Sequence, residues 1–95
     1  MKITVLIDNK KNPSSQILKE AWGLSILIEF QGHKYLLDSG PNRQFALNAL
    51  QLGKSLSDVD YGILSHCTGA HAYEILKSVL GDKVCQMYTG MEMEI

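Results

Sequence analysis

At 95 residues, with 45% hydrophobic and 20% charged residues, the chain has the make-up of one ordinary globular domain with a modest core. Nine Lys and Arg against ten Asp and Glu leave a formal net charge of −1, and the lysines are scattered among acids, which excludes the broad basic field that draws nucleic acid or an anionic membrane. The longest apolar runs, such as Ile26, Leu27 and Ile28, fall far short of the roughly 20 residues that span a bilayer, and no secretory leader pattern opens the sequence, so a cytoplasmic location is expected.

In chain order, residues 2–8 carry Ile3, Val5, Leu6 and Ile7 and read as a strand that runs into a turn-rich loop over residues 9–15. Residues 24–30 and 33–38 are two apolar runs joined by Gln31 and Gly32, a two-residue connection that predicts an antiparallel hairpin. The turn residues Ser39, Gly40, Pro41 and Asn42 supply a helix cap, after which Phe45, Ala46, Ala49, Leu50 and Leu52 recur at helical spacing up to a stop at Gly53. A polar stretch over residues 55–60 leads to a short apolar strand at residues 61–65. The strongest helical pattern follows, with Ala72, Ile75, Leu76, Val79 and Leu80 on one face and Gly81 behind them. Residues 84–88 predict a fifth strand, and the alternation of Met91, Met93 and Ile95 with Glu92 and Glu94 predicts a half-buried strand in need of a partner.

This order predicts an α/β (α+β) domain with a mixed sheet. Strands so continuously apolar call for cover on both sheet faces, and two helices are too few to supply it, which points to a missing half or to a homodimer. The two cysteines, Cys67 and Cys85, are expected as reduced thiols. Trp22, Tyr35, Tyr61 and Tyr73 read as core or core-edge residues, Met91 and Met93 as packing, and His33 as an exposed residue of the hairpin turn.

Chemistry is concentrated after the 61–65 strand, where Ser65, His66, Cys67, Thr68, Gly69, Ala70 and His71 form a polar loop ahead of a helix. His66 and His71 are five residues apart, which on a helix separates them by about 140°, so they meet on one ion only if the loop folds back. The ordinary reading has His66 bonded to backbone and His71 opening the helix; the functional one makes both metal ligands, with Cys67 as a third ligand or a nucleophile. Asp38 either ligates, orients a histidine from outside the ligand shell, or caps the following turn, capping being the simpler role. The amides near Gly40, with Arg43 beside them, are a candidate anion-binding corner.

Several ordered segments together resemble the metallo-β-lactamase-fold superfamily. They are Met1 through Asn9, then Ala21-Trp22-Gly23-Leu24-Ser25 with the apolar residues after it, then Leu36-Leu37-Asp38-Ser39-Gly40-Pro41, then Asn48-Ala49 and Leu52-Gly53, then Leu56-Ser57-Asp58-Val59-Asp60 and Ile63-Leu64-Ser65-His66. Within the superfamily they are most similar to the group related to the archaeal enzyme that joins a dihydropterin precursor to a ribofuranosylaminobenzene phosphate. The likeness runs over roughly residues 1–80.

The resemblance implies a two-layered half of an αββα sandwich, with helices on one face of the sheet and a metal-dependent hydrolase or transferase chemistry in intact members. The family motif His-x-His-x-Asp-His places His66 first and His71 last, while its second His falls on Thr68 and its Asp on Ala70. Asp38 matches the family's acid that supports the metal site by hydrogen bonding. With three histidines in all, one of them His33 on the hairpin, a single chain lacks the family's dinuclear ligand set.

The expectation is therefore a single truncated domain over residues 1–95, catalytically degenerate, binding no metal or a single zinc or iron ion. Its leading role is a non-catalytic binding or interaction module that homodimerises, with no nucleic acid or membrane partner and an unspecified small-molecule ligand. Two other readings stand beside it: a metal-dependent hydrolase or transferase whose site is completed across a dimer, and a truncated gene product without its own activity.

Overall fold

The structure, a computed structural model, describes residues 1–8, 10, 12–14, 18, 24–65, 72–87, 90 and 92. Five strands and two helices follow one another as β1 (Lys2–Ile7), β2 (Ser25–Phe30), β3 (His33–Leu37), α1 (Gln44–Gln51), β4 (Tyr61–Leu64), α2 (Ala72–Leu80) and β5 (Val84–Gln86). The seven elements predicted between residues 2 and 88 are present, with ends shifted by up to two residues, while the strand predicted over residues 91–95 lies, apart from residue 92, outside the described residues. Tyr88, which was expected in the fifth strand, lies outside the described residues, as do Trp22, Met91, Met93, Ile95 and most of the 9–23 stretch.

The strands form one mixed sheet in the order β1-β2-β3-β4-β5. The first three are antiparallel and the last three parallel. Gln31 and Gly32 close the β2–β3 hairpin with φ of 50° and 79°, the positive pair that matches a two-residue turn to the twist of its strands. Both parallel connections, β3-α1-β4 and β4-α2-β5, step the same way across the sheet, and crossovers of one hand then set both helices on the same face.

A single core on that face confirms the arrangement. Phe45 and Ala49 of α1 and Leu76 and Leu80 of α2 join Leu6, Ile7, Leu27, Leu36 and Val59 in one buried cluster. Gly62 lets α2 approach β4 closely: a Cβ there would collide with Leu80 Cδ1. At the other helix, the register of β1 slips between Val5 and Ile7. Such a bulge takes backbone groups out of the ladder, and the buried Asn48 side chain meets the Leu6 carbonyl at 2.9 Å while its own Oδ1 accepts from Gln44 Nε2 at 3.0 Å.

Pairing across the ladders sorts the strand residues between the two faces. Leu6, Leu27, Leu36 and Leu64 lie beneath the helices and are buried. Ile3, Val5, Ile26, Ile28, Phe30, Tyr35, Leu37, Tyr61, Ile63 and Cys85 fall on the opposite face. There Ile3 is 57% exposed, Val5 50% and Phe30 45%. The expected cover on both faces is thus supplied by the helices on one face alone.

The tyrosines need correcting. Tyr61 and Tyr73 are exposed rather than core residues, Tyr61 because it sits at the start of β4 on the helix-free face and Tyr73 because it points off α2. Tyr35 is half-buried and stacks on Tyr61 with ring centroids 6.4 Å apart.

Ion pairs tie the segment between α1 and β4 to the hairpin. Lys54 reaches Glu29 at 3.0 Å, and Lys34 reaches Asp58 at 3.0 Å. His33 is exposed as expected, and its Nδ1 lies 3.3 Å from Asp60. The Lys54 hydrogen bond holds the Glu29 carboxyl below its ordinary range. For Asp60 the main cause is the Lys34 amide, whose hydrogen bond favours the ionised form, with His33 adding to it.

Candidate functional site

Asp38 stands where β3 ends, beside the end of its parallel neighbour β4. Its backbone takes φ of 57°, a left-handed conformation that Asp tolerates better than most residues. Four hydrogen bonds fix it there. Its amide donates to the Ile63 carbonyl at 2.8 Å, and its carbonyl accepts from the Ser25 hydroxyl at 2.6 Å. The carboxylate takes both donors of Ser65: the amide on Oδ1 at 2.8 Å and the hydroxyl on Oδ2 at 2.5 Å.

This geometry corrects the capping role. The Asp38 side chain reaches neither the turn after it nor α1; it grips the last residue before His66. The left-handed turn at Asp38 directs the chain away from β3, and the carboxylate is left facing the neighbouring strand end. Capping falls instead to Asn42, whose Oδ1 accepts from the Gln44 amide at 2.8 Å. Ser65 and Ser25, the two hydroxyls that complete the arrangement, stand in the polar loop and in the segments of the resemblance, but the sequence marks neither as a partner of Asp38.

His66, Cys67, Thr68, Ala70 and His71 lie outside the described residues. Of the candidate metal residues, Asp38 alone is therefore placed, and both of its carboxylate oxygens are engaged by Ser65. Each oxygen accepts one of these bonds, and the carboxylate thereby holds Ser65 in place. Among the described residues no three His, Cys, Asp or Glu side chains converge as a metal ion requires. Cys85 is a half-buried free thiol on β5.

At the anion-binding corner, Gly40 has φ of 71° and Arg43 is exposed at the start of α1. The amides of Gln44, Ala46 and Leu47 have partners within the chain. Asn42 takes the Gln44 amide, and the Arg43 carbonyl accepts from the Ala46 and Leu47 amides at 3.0 and 3.4 Å. Arg43 also lines an open cleft with Pro41, Glu74 and Ile75. Among the described residues no helix is long and apolar enough to cross a membrane.

The chain matches no family model and no curated protein.

Proposed function

We propose that the chain is a metallo-β-lactamase-type half-domain that acts as a non-catalytic interaction module and docks through the helix-free face of its sheet. The observation that carries this reading is the exposure of Ile3, Val5, Phe30 and Tyr61 on that face while both helices of the described residues lie on the other. Contiguous exposed apolar surface of this kind marks a contact surface. The family part of the reading is supported by the element order and by the place of Asp38 after the hairpin, where the resemblance puts the supporting acid.

The donor set argues against the family reaction. Thr68 and Ala70 stand where the motif has a second His and the Asp that orients the attacking water, and neither residue can replace them. An assay of ester, phosphodiester and lactam hydrolysis with added zinc, iron or manganese tests the reading. No turnover above the metal alone is expected; turnover that follows the protein and is lost with His66→Ala contradicts it.

One observation favours a second reading, in which a metal site is completed across a dimer. The grip of Asp38 on Ser65 steadies the residue next to His66, the role that the resemblance assigns to Asp38. Metal bound there would lower the pKa of a coordinated water, with His66, His71 and Cys67 as its candidate holders. Thr68→His combined with Ala70→Asp tests whether the loop has the family shape. It does if metal affinity rises in the double variant, and does not if affinity is unchanged.

A further inference from the structure

We infer that the occupant of the helix-free sheet face is a second copy of this chain, packed face to face so that the helices of both copies lie outside. This deepens the interaction reading above and rests on it. The first argument is charge. Within the five strands, Lys2, Glu29 and Lys34 all fall on the helix side by register, and His33 is the sole titratable side chain besides Tyr and Cys on the other. The strands thus put no fixed charge on this face, the Asp60 carboxylate beside His33 standing at its edge, and it offers no broad attraction to a basic or acidic partner. It also meets no like-charge repulsion when it faces itself.

Size is the second argument. Five strands at about 4.8 Å spacing, and about 3.3 Å per residue along them, make a patch roughly 20 Å by 18 Å. The corrugation of the side chains adds to that footprint, so two copies together remove on the order of 1,000 Å² from water, the area at which a specific interface begins to hold. A smaller ligand or a single peptide strand would leave much of the patch wet. A two-fold pair covers both patches in one contact and closes the assembly, which leaves no further apolar face for growth.

The third argument is the make-up of the patch. Phe30 pairs with His33, and Tyr35 stacks on Tyr61, so the hairpin end of the face is a cluster of rings. The β1 side is aliphatic, with Ile3 opposite Ile28 and Val5 opposite Ile26. Rings and branched aliphatics are the residue types that carry sheet-on-sheet contacts.

Sedimentation velocity of the wild-type chain across the micromolar range is the test, with Val5→Lys and Tyr61→Lys as face variants and Leu50→Lys as a control. All three side chains are exposed, at 50%, 43% and 72% respectively, so circular dichroism is expected to show the fold unchanged. The wild type is expected to sediment as a dimer at the upper concentrations. Each face variant is expected to raise the dissociation constant at least about tenfold, while Leu50→Lys on the outer side of α1 leaves it alone. A wild type that stays monomeric overturns the inference, as does a dimer that survives both face variants. A monomer without hydrolytic activity would remove the second copy and leave the interaction module standing; a dimer with metal-dependent turnover would do the reverse.

Discussion

Removing the Asp38 carboxylate tests the junction that the structure places ahead of His66. Asp38→Ala takes away the acceptor of the Ser65 amide and of the Ser65 hydroxyl. A hydrogen bond to a charged group carries about 1.5–3 kcal/mol when buried. Both residues are half-buried, and solvent brings each bond nearer to about 1 kcal/mol. Alanine at φ of 57° adds backbone strain of about 1 kcal/mol, so the expected loss is about 2–4 kcal/mol.

Two companion variants divide that loss. Asp38→Asn keeps a carbonyl oxygen for the Ser65 amide, offers an amide donor to the Ser65 hydroxyl, and tolerates the left-handed backbone, so about 1 kcal/mol is expected. Asp38→Gly removes the strain but neither bond is regained, and it is expected between the other two. Urea unfolding at neutral pH, with slopes compared to exclude a change in the unfolded state, reads all three. An Asp38→Ala loss under about 0.5 kcal/mol, the range of an ordinary surface substitution, would refute the reasoning. So would Asp38→Asn being as damaging as Asp38→Ala.

Other expectations follow from the packing and the charges. Gly62→Val is expected to cost about 1–3 kcal/mol in urea unfolding, because the branched side chain enters the space of Leu80 and Leu76, and a fully stable variant would show that α2 can move off β4. Asn48→Leu strips the Leu6 carbonyl of its side-chain donor in a buried place and is expected to lose about 1–3 kcal/mol, whereas an unchanged midpoint would mean that water serves the bulge. Glu29 and Asp60 are held below their ordinary values, so their contribution is complete above the unfolded values near 4 and fades as pH falls through the folded ones. Urea midpoints taken downward from pH 5 are therefore expected to fall more steeply for the wild type than for Asp60→Asn; parallel curves would remove Asp60 from the account.

The elements were legible because their periodicities are local. Ile75, Leu76, Val79 and Leu80 announce α2 without reference to anything else, and Gln31-Gly32 announces the hairpin through the one conformation that two residues can use. What the sequence left open is set by long-range geometry. Which face the helices cover follows from two crossovers of the same hand, so Tyr61, an aromatic at a strand start, read as core or core-edge when its register sends it to the other side. The bond from Asp38 to Ser65 joins residues far apart along the chain, brought together by the parallel pairing of β3 with β4. Asp38 could thus be recognised as a candidate but not given its partner, and the turn role assigned to it went to Asn42, whose bond is two residues long.

The central claim is that the helix-free face is the working surface of the chain. Methyl NMR on protein labelled at Ile, Leu and Val, followed as the protein is diluted through the micromolar range, tests it directly. The methyls of Ile3, Val5, Ile26, Ile28 and Ile63 are expected to shift together along one binding curve, while Leu27, Leu36 and Leu76 beneath the helices stay fixed. Shifts confined to methyls on the helices, such as Leu47 and Leu50, or no dependence on concentration at all, would contradict it.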